Sequence, residues 1–506
     1  MGKRYGDAPG VRTHRGTALA TDSKGMNTSA PPDPAPGRES VRAPLALLPH
    51  GWAEDVLLEW DGEGTLLRVE AGGEAPGART LEGIVLPGIP NLHSHTFQRA
   101  LAGLTEGGRT EGSREGETDT FWGWREALYR FLRRLSPEDV EAIAAYAFME
   151  MLRAGYTSVA EFHYLHLDPE GREYPDPGEL SRRVVQGALR AGIRLTHLPT
   201  LYRSGDFGGV PPETGQLRFL RTPEQILSLT QELRGEFGDH PRVRVGLALH
   251  SLRAVPLDDI TTAVEGVRRE DPEGPIHIHV AEQRREVEEC IAWAGMRPVE
   301  LLLNNAPVDG RWCLVHATHV KESELESLVD RGVVVGLCPT TEANLGDGIF
   351  PLHRYLALGG RFGVGSDSHV SVNPVEELRW LEYGQRLALE ERGVAGRALG
   401  GARTGEALVR AALDGGARAL GGGTGRLEPG AQADLVVLDS THPDFEGRRP
   451  EELLDAWIFS GSPKGAREVW VGGRRVVHGG RHREEEALTE EYRSRLRPLV
   501  SGLTGA

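Results

Sequence analysis

The stretch GIVLPGIPNLHSH, residues 83–95, joins an apolar run to two histidines that are one residue apart. A short apolar run bounded by Gly and Pro is typical of a buried strand. His93 and His95 stand at positions i and i+2, and in an extended chain such positions project on the same side. Both imidazoles can therefore contact one object, and a divalent metal ion is a common partner of paired imidazoles.

Seven further apolar runs follow, and helix-like segments separate them. They are TSVAEFHY (157–164), RLTHLPTLY (194–202), RVGLALHSL (244–252), IHIHVAE (276–282), CLVHATH (313–319), VVVGLCPT (333–340) and RFGVGSDS (361–368). Eight strands that alternate with amphipathic helices predict an α/β fold, a (β/α)8 barrel of the TIM type. A doubly wound sheet is the alternative. It usually carries a Gly-rich phosphate fingerprint after a strand, whereas GGGTGR, at 421–426, follows a helix-like segment.

Short strand-like pieces stand at both ends of the chain. DVLLEW and TLLRVEA precede the barrel segment, and GRLEPGAQADLVVLD and EVWVGGRRVVHGGRH follow it. We expect residues 43–85 and 422–482 to form a small β-sandwich domain, 86–421 to form the barrel, and 483–506 to form a C-terminal helical tail. Residues 1–42 are rich in Pro, Gly and Ser without periodicity, which predicts a disordered extension.

The composition limits the class of function. Of the 506 residues 26% are charged and 39% hydrophobic, and the formal charge of -16 argues against a nucleic-acid-binding surface. Apolar runs stay well below the ~20 residues that cross a bilayer, and no secretory signal opens the chain. The three cysteines, Cys290, Cys313 and Cys338, lack C-x-x-C spacing. We therefore expect a cytoplasmic protein that contacts neither nucleic acid nor membrane.

Polar residues recur at the C-terminal ends of the predicted strands, where a TIM-type barrel has its active site. A single histidine at a strand end is usually structural, but several on one rim indicate a functional site. In strand order these residues are His93 and His95; Glu161, His163 and Tyr164; His250 and Arg253; His277, His279 and Glu282; His316 and His319; and Asp367 and His369.

Metal-assisted hydrolysis is the chemistry that these residue types support. Imidazole nitrogen and carboxylate oxygen are ligands of zinc, and iron is the alternative. We expect one divalent ion per subunit, with a water in the open position whose pKa the metal lowers. The predicted ligands are His93, His95, His279 and Asp367.

Two further residues are candidates for proton transfer and charge stabilisation. Glu282 follows His279 by three residues, close enough to take a proton from the water and pass it to the leaving nitrogen. His316, on the next strand, is expected to stabilise charge at the attacked carbon. Asp367 is expected to orient the water in addition to binding the metal. Motifs of other hydrolases, H-E-x-x-H, P-C-x-x-C and G-x-S-x-G, do not occur in the sequence.

Long strings around these residues resemble the amidohydrolase superfamily in its mononuclear deaminase branch, and within it the formimidoylglutamate deiminases of bacterial histidine degradation. The resemblance runs from about Leu45 to His482. The strings are PNLHSHTFQRALAGLTE, FWGWREALYRF, TSVAEFHYLH, LHSLRAV, HIHVAEQ, WCLVHATH, GLCPTTEANLGDGIFP and GVGSDSHVSVNPVEELRWLEYGQRL. Related two-metal barrels use a carboxylated lysine or a glutamate after the fourth strand. Neither residue stands there in this chain, which favours one metal.

The resemblance implies that the protein hydrolyses N-formimino-L-glutamate to N-formyl-L-glutamate and ammonia, and that it is a homodimer. It implies the same metal ligands and the same roles for Glu282 and His316. The substrate is a small dicarboxylate, and arginine pairs with carboxylates through a bidentate fork, so Arg125 and Arg253 are the expected clamps. The implied substrate-binding set is Gln98, Arg125, Tyr164, His250 and Arg253.

Two alternatives stay open. A deaminase of a guanine-, adenosine- or triazine-like ring would favour stacking surfaces and amide groups over two arginines. A metal-free barrel that only binds a ligand or a partner would lack ligands or the acid–base residue, which this chain retains. The stretch GGRTEGSREGETD, residues 107–119, is longer and more charged than is usual in the family, and it is predicted to be a lid or a solvated loop.

Overall fold

The computed structural model describes residues 38–106, 121–461 and 465–504. Most of the predicted disordered extension, up to residue 37, lies outside the described residues, and so does the predicted loop at 107–119. None of the helices in the described part of the chain combines the length and the hydropathy needed to cross a bilayer.

A mixed sheet forms from strands at both ends of the described chain, which confirms a second β-rich part. Its first five strands are β1 (Glu39–Leu48), β2 (Gly51–Trp60), β3 (Leu66–Ala71), β4 (Arg79–Thr80) and β5 (Ile84–Pro87).

A parallel barrel follows, as predicted. Its strands are β6 (Ile89–Ser94), β7 (Tyr156–His163), β8 (Arg194–Leu201), β9 (Val243–Val245), β10 (Leu247–Ser251), β11 (Ile276–Val280), β12 (Trp312–His316), β13 (Val334–Leu337) and β14 (Arg361–Val364). The eight principal strands are ordered β6-β7-β8-β10-β11-β12-β13-β14, and the short β9 pairs with β8.

The last four strands return to the mixed sheet. They are β15 (Leu435–Leu438), β16 (Glu468–Val471), β17 (Arg474–His478) and β18 (Arg481–His482). The sheet order is β18-β17-β16-β15-β5-β1-β2-β3, with β4 beside β1. Trp60 on β2 and Trp470 on β16 are four strands apart in this order, yet their ring centroids lie 5.9 Å apart. The sheet therefore folds over itself around an apolar interior.

The helices lie mostly between the barrel strands. They are α1 (Phe121–Leu132), α2 (Pro137–Ala154), α3 (Glu179–Ala191), α4 (Pro223–Phe237), α5 (Leu257–Glu270), α6 (Arg284–Ala294), α7 (Pro298–Asn305), α8 (Glu322–Asp330), α9 (Pro339–Leu345), α10 (Leu352–Ala357), α11 (Pro374–Leu389), α12 (Val394–Ala398), α13 (Thr404–Ala419), α14 (Leu453–Phe459) and α15 (Glu485–Thr504). Local signals explain the ends of α2: Ser136 and Asp139 form a capping box, and Gly155 ends the helix at a φ of 109°.

The apolar run that opens the barrel in the sequence divides between the two sheets, which corrects the predicted first strand. Residues Ile84–Pro87 pair with β1 and β15 of the mixed sheet, and only Ile89–Ser94 belongs to the barrel. Gly88 separates the two strands. A Cβ atom added there would lie 2.1 Å from Thr157 Oγ1, so the neighbouring strand leaves room for glycine alone.

Two segments depart from the predicted domain limits. Strand β1 begins at Glu39, so the last residues assigned to the disordered extension belong to the sheet. Helix α14 falls within the range 422–482, but it packs on barrel helices: Arg379 Nε donates to the Ile458 carbonyl at 2.6 Å, and the Gly405 amide donates to Asp455 at 2.7 Å.

The barrel closes at the point where candidate ligands lie. The His95 amide donates to the Asp367 carbonyl at 3.2 Å, and the Asp367 amide donates to the His93 carbonyl at 3.0 Å. These two hydrogen bonds join the first strand to the segment after the last strand. Residues from the two ends of the barrel segment are thereby fixed against each other.

Candidate metal centre and active site

Four predicted ligand atoms converge at the C-terminal mouth of the barrel. His279 Nε2 lies 3.1 Å from His93 Nε2 and 3.3 Å from His95 Nε2. Asp367 Oδ1 lies 3.4 Å from Nε2 of both His93 and His95. A tetrahedral zinc site with bonds of about 2.0–2.1 Å has edges of about 3.3 Å. These four spacings match those edges. The three imidazoles, whose ligand atoms lie within 4.8 Å of one another, form a candidate metal site with Asp367 beside His93 and His95.

Hydrogen bonds on the far side of two rings set their orientation. His95 Nδ1 donates to the Phe162 carbonyl and His279 Nδ1 donates to the His250 carbonyl, each at 2.8 Å. With the proton on Nδ1, Nε2 carries a lone pair that points into the cluster. This arrangement of a carbonyl, an imidazole and a metal is common in metalloproteins and holds the ligand in place.

The electrostatics also suit a cation. Burial first, and then repulsion from a neighbouring imidazole, lowers the pKa of His93, His95 and His279, and that of His95 falls to about 3. Three neutral imidazoles thus bring their lone pairs together: Nε2 of His279 lies within 3.3 Å of Nε2 of both His93 and His95. Such pairs repel unless a positive charge lies between them, and a divalent cation supplies it.

At this rim the backbone adopts left-handed conformations, which residues other than glycine rarely adopt. Ala281, His316 and Asp367 have φ values of 53°, 69° and 44°. Left-handed non-glycine residues cost free energy and cluster at functional sites. Here they turn His316 and Asp367 into the cavity.

Glu282 and His316 lie beside the candidate ligands. His316 Nε2 is 3.8 Å from both Glu282 Oε1 and Asp367 Oδ2. Burial, with a contribution from Asp367, raises the pKa of Glu282 to about 7 against the opposing effect of His316. A carboxyl group with that pKa can both accept and release a proton near neutral pH.

Sequence reasoning missed the partner of His316 on its other side. His316 Nδ1 lies 3.2 Å from Glu342 Oε1, and the same carboxylate oxygen accepts from the Cys338 amide at 2.9 Å. Burial alone would lower the pKa of His316, but the Glu282, Glu342 and Asp367 carboxylates outweigh it and raise the pKa to about 10. Glu342 stands in the string TEANLGDG, part of the family resemblance, to whose acidic residues the sequence alone assigned no role.

A cavity beside the four candidate ligands continues into a second chamber. The inner chamber is lined by residues that include His95, His279, Glu282, His316 and Asp367. The outer chamber is lined by residues that include Arg125, Tyr129, Tyr202 and Phe219. Four residues line both, Trp124, Tyr164, His250 and Arg253. The cavity thus leads from the histidine cluster to two guanidinium groups.

All five residues of the predicted substrate-binding set line this cavity. Gln98 Nε2 donates to the Tyr164 hydroxyl at 2.9 Å. This hydrogen bond joins the segment after β6 to the segment after β7. His250 packs against Tyr164 and Tyr202, with ring centroids 5.2 and 4.6 Å away. Arg125 reaches only the outer chamber, where its Nε donates to the Tyr129 hydroxyl. Arg253 stands at the junction of the two chambers.

A buried polar network lies behind the histidines. It includes Glu161 and His369, for which the sequence analysis predicted a position at the strand ends but no partner. Glu161 accepts hydrogen bonds from Ser94 Oγ, from the Thr96 amide at 2.8 Å and from Thr96 Oγ1 at 2.7 Å. Ser94 Oγ also lies 3.1 Å from His369 Nε2. Burial raises the pKa of Glu161 to about 7 in spite of these donors. The network supports the backbone between His93 and His95.

Of the rim histidines outside the candidate ligand set, four do not line the cavity: His163, His277, His319 and His369. His277 Nε2 lies 2.8 Å from the Ala419 carbonyl of α13, and His163 packs with its ring centroid 5.3 Å from His197. His163 follows Phe162, whose ring packs against His93 and His95, so the two-residue period of the strand points His163 away from the site. His277 shares a strand face with His279 but stands two residues earlier, where its ring meets α13 instead of the cluster.

Residues 84–476 match the sequence profile of the Amidohydrolase family. The chain belongs to the amidohydrolase family. The formimidoylglutamate deiminase of Pseudomonas aeruginosa is 49% identical over 455 residues, which cover 90% of this chain and 98% of that protein. The 8-oxoguanine deaminase of the same organism is 29% identical over 435 residues, covering 83% and 88% of the two chains.

Two solved structures agree with the fold. The crystal structure of an amidohydrolase from Brucella melitensis superposes with a TM-score of 0.84 at 41% identity and covers 91% of this chain and 100% of that chain. An adenosine deaminase from Xanthomonas campestris with bound zinc has a TM-score of 0.73 at 21% identity and covers 91% and 98%. The second likeness concerns the fold alone.

Proposed function

We propose that this amidohydrolase hydrolyses N-formimino-L-glutamate to N-formyl-L-glutamate and ammonia. The observation that carries the proposal is 49% identity over nearly the full length of a formimidoylglutamate deiminase. The cavity supports it, because a dicarboxylate amidine needs a metal centre at one end and cationic groups at the other. Arg125 and Arg253 provide the cationic groups.

One divalent cation per subunit is proposed, held by His93, His95, His279 and Asp367. Zinc is the proposed ion because three of the four ligands are imidazoles, and iron is the alternative that the same donors accept. When bound, the cation supplies a water of lowered pKa and polarises the formimino group. We also propose that Asp367 orients this water, because its Oδ2 lies 3.8 Å from His316 Nε2, beside the pair that handles protons.

Glu282 is the proposed proton shuttle. It accepts one proton as the water oxygen adds to the formimino carbon and passes that proton to the terminal nitrogen. As the bond between that nitrogen and the carbon breaks, the hydroxyl proton of the adduct follows the same route, so both protons of the water end on the ammonia. Ammonia leaves, and the formyl group stays on glutamate. His316, oriented by Glu342, stabilises charge that develops at the attacked carbon.

The glutamate part of the substrate is proposed to extend from the inner into the outer chamber. Arg253 at the junction would bind one carboxylate, and Arg125 would bind the other, each through a bidentate fork. The Tyr164 hydroxyl, supported by Gln98, and the His250 ring complete the walls of this path. A homodimer in the cytoplasm is proposed on the family resemblance, and the three buried free cysteines fit a reducing compartment.

Ammonia release from a panel of substrates tests the proposed function. We expect kcat/KM for N-formimino-L-glutamate to exceed that for guanine or adenosine by about 10⁴-fold, since a site built for two carboxylates leaves its arginines unpaired around a neutral ring. N-formiminoglycine, which has the same reacting group and one carboxylate, is the control for charge recognition. Faster turnover of guanine or adenosine would contradict the assignment and favour a ring deaminase.

A further inference from the structure

A second group of possible metal donors lies beside the four candidate ligands. One donor atom each from Glu282, His316 and Asp347 lies within 4.8 Å of the others, and all three residues are buried. His316 Nε2 is 3.8 Å from Glu282 Oε1. The group combines one imidazole with two carboxylates, a donor set that zinc accepts.

Asp347 supplies the observation that points to a ligand. Its side chain is 4% exposed, and its Oδ1 accepts a hydrogen bond from Gln283 Nε2. Its Oδ2 is sealed from solvent and has no hydrogen-bond partner within the described parts of the chain. A buried carboxylate oxygen without a donor is costly, and the neighbouring Glu282 carboxylate adds repulsion. Burial and Glu282 accordingly raise the pKa of Asp347 to about 10.

His316 directs its Nε2 towards this group, where a bound cation would displace the ring proton. Its Nδ1 is held by the Glu342 carboxylate at 3.2 Å, so its Nε2 faces Glu282 and Asp367. A carboxylate that holds the distal nitrogen of an imidazole is a frequent support of metal-binding histidines.

We propose that Glu282, His316 and Asp347 bind a second divalent cation, and that this ion inhibits the enzyme. The site has three protein ligands against four in the first site, so it fills at a higher free concentration of the ion. Occupation removes Glu282 and His316 from proton transfer and charge stabilisation. The inhibition, unlike the binding, rests on the proposed hydrolysis.

The test uses holoenzyme that contains one ion per subunit and a series of buffered free Zn²⁺ concentrations. Bound ions are counted by mass spectrometry after equilibrium dialysis, and ammonia release is measured at the same concentrations. We expect wild-type protein to bind a second ion and to lose activity at least tenfold in parallel. Asp347→Asn keeps the acceptor for Gln283 but replaces Oδ2, the oxygen that would bind the ion once its proton is displaced, and the variant should bind the second ion at least about tenfold more weakly.

Asp330→Asn is the matched control, because Asp330 is exposed at the end of α8 and should leave both ion counts as in the wild type. Glu282→Gln provides a second test by ion counting, which does not depend on measuring activity. This variant should keep the first ion and bind the second ion weakly. A wild-type count that stays at one, or a second ion that binds equally to Asp347→Asn, would overturn the proposal. If the wild-type protein binds a second ion and the variants bind it weakly, but formiminoglutamate is not hydrolysed, then the proposed function is wrong and the second metal site is supported.

Discussion

Glutamine in place of Glu282 is expected to lower kcat by about 10²–10⁴-fold while the protein keeps its first ion. The amide has the size of the carboxyl group but cannot take the proton from the attacking water. Glu282 is not among the four candidate ligands, so the ion content should stay near one per subunit. Steady-state ammonia release and metal analysis on the same preparation measure both quantities.

Glu288→Gln is the control for Glu282→Gln, since Glu288 is exposed on the following helix and the substitution changes the charge in the same way. It should leave kcat near the wild-type value. Activity of Glu282→Gln within a few fold of the wild type would remove Glu282 from proton transfer. Loss of the first ion would show instead that Glu282 is a ligand.

Alanine in place of Arg253 is expected to lower kcat/KM for N-formimino-L-glutamate by about 30- to 5,000-fold, which corresponds to about 2–5 kcal/mol for a buried ion pair. Arg253 is 9% exposed and lines both chambers, so its loss leaves one substrate carboxylate desolvated without a cation. Most of the effect should fall on KM. The measurement is a full kinetic curve with the variant.

Two companion variants separate recognition from general damage. Arg253→Lys keeps the charge but loses the bidentate fork, so it should recover only part of the affinity. Arg361→Ala removes an exposed arginine at the start of β14, the opposite end of that strand from the site, and should leave KM unchanged. A wild-type KM in Arg253→Ala would exclude Arg253 from carboxylate binding.

The barrel was predictable because its strands are short, apolar and separated by amphipathic helices. The division of the first apolar run was not, since Ile84–Pro87 and Ile89–Ser94 look alike in composition. What separates them is tertiary: Gly88 lies against Thr157, and the strands on either side pair with different sheets. A pattern of hydrophobic residues predicts a strand, but it does not predict which sheet the strand joins.

The candidate ligands were predictable for a related reason: polar residues at the C-terminal ends of barrel strands share one rim. Glu342 and Asp347 were missed because they lie in a segment after β13, where no strand period fixes their direction. Their contacts with His316 and Glu282 depend on how that segment folds back over the mouth of the barrel. Two acidic residues close together in TEANLGD were the available signal.

Anomalous diffraction at the zinc absorption edge, on crystals of holoenzyme prepared with one ion per subunit, tests the central claim most directly. The account predicts a single strong peak at bonding distance, about 2.0–2.2 Å, from Nε2 of His93, His95 and His279 and from an oxygen of Asp367. An active enzyme whose ion is bound elsewhere, or whose four side chains surround no ion, would contradict it.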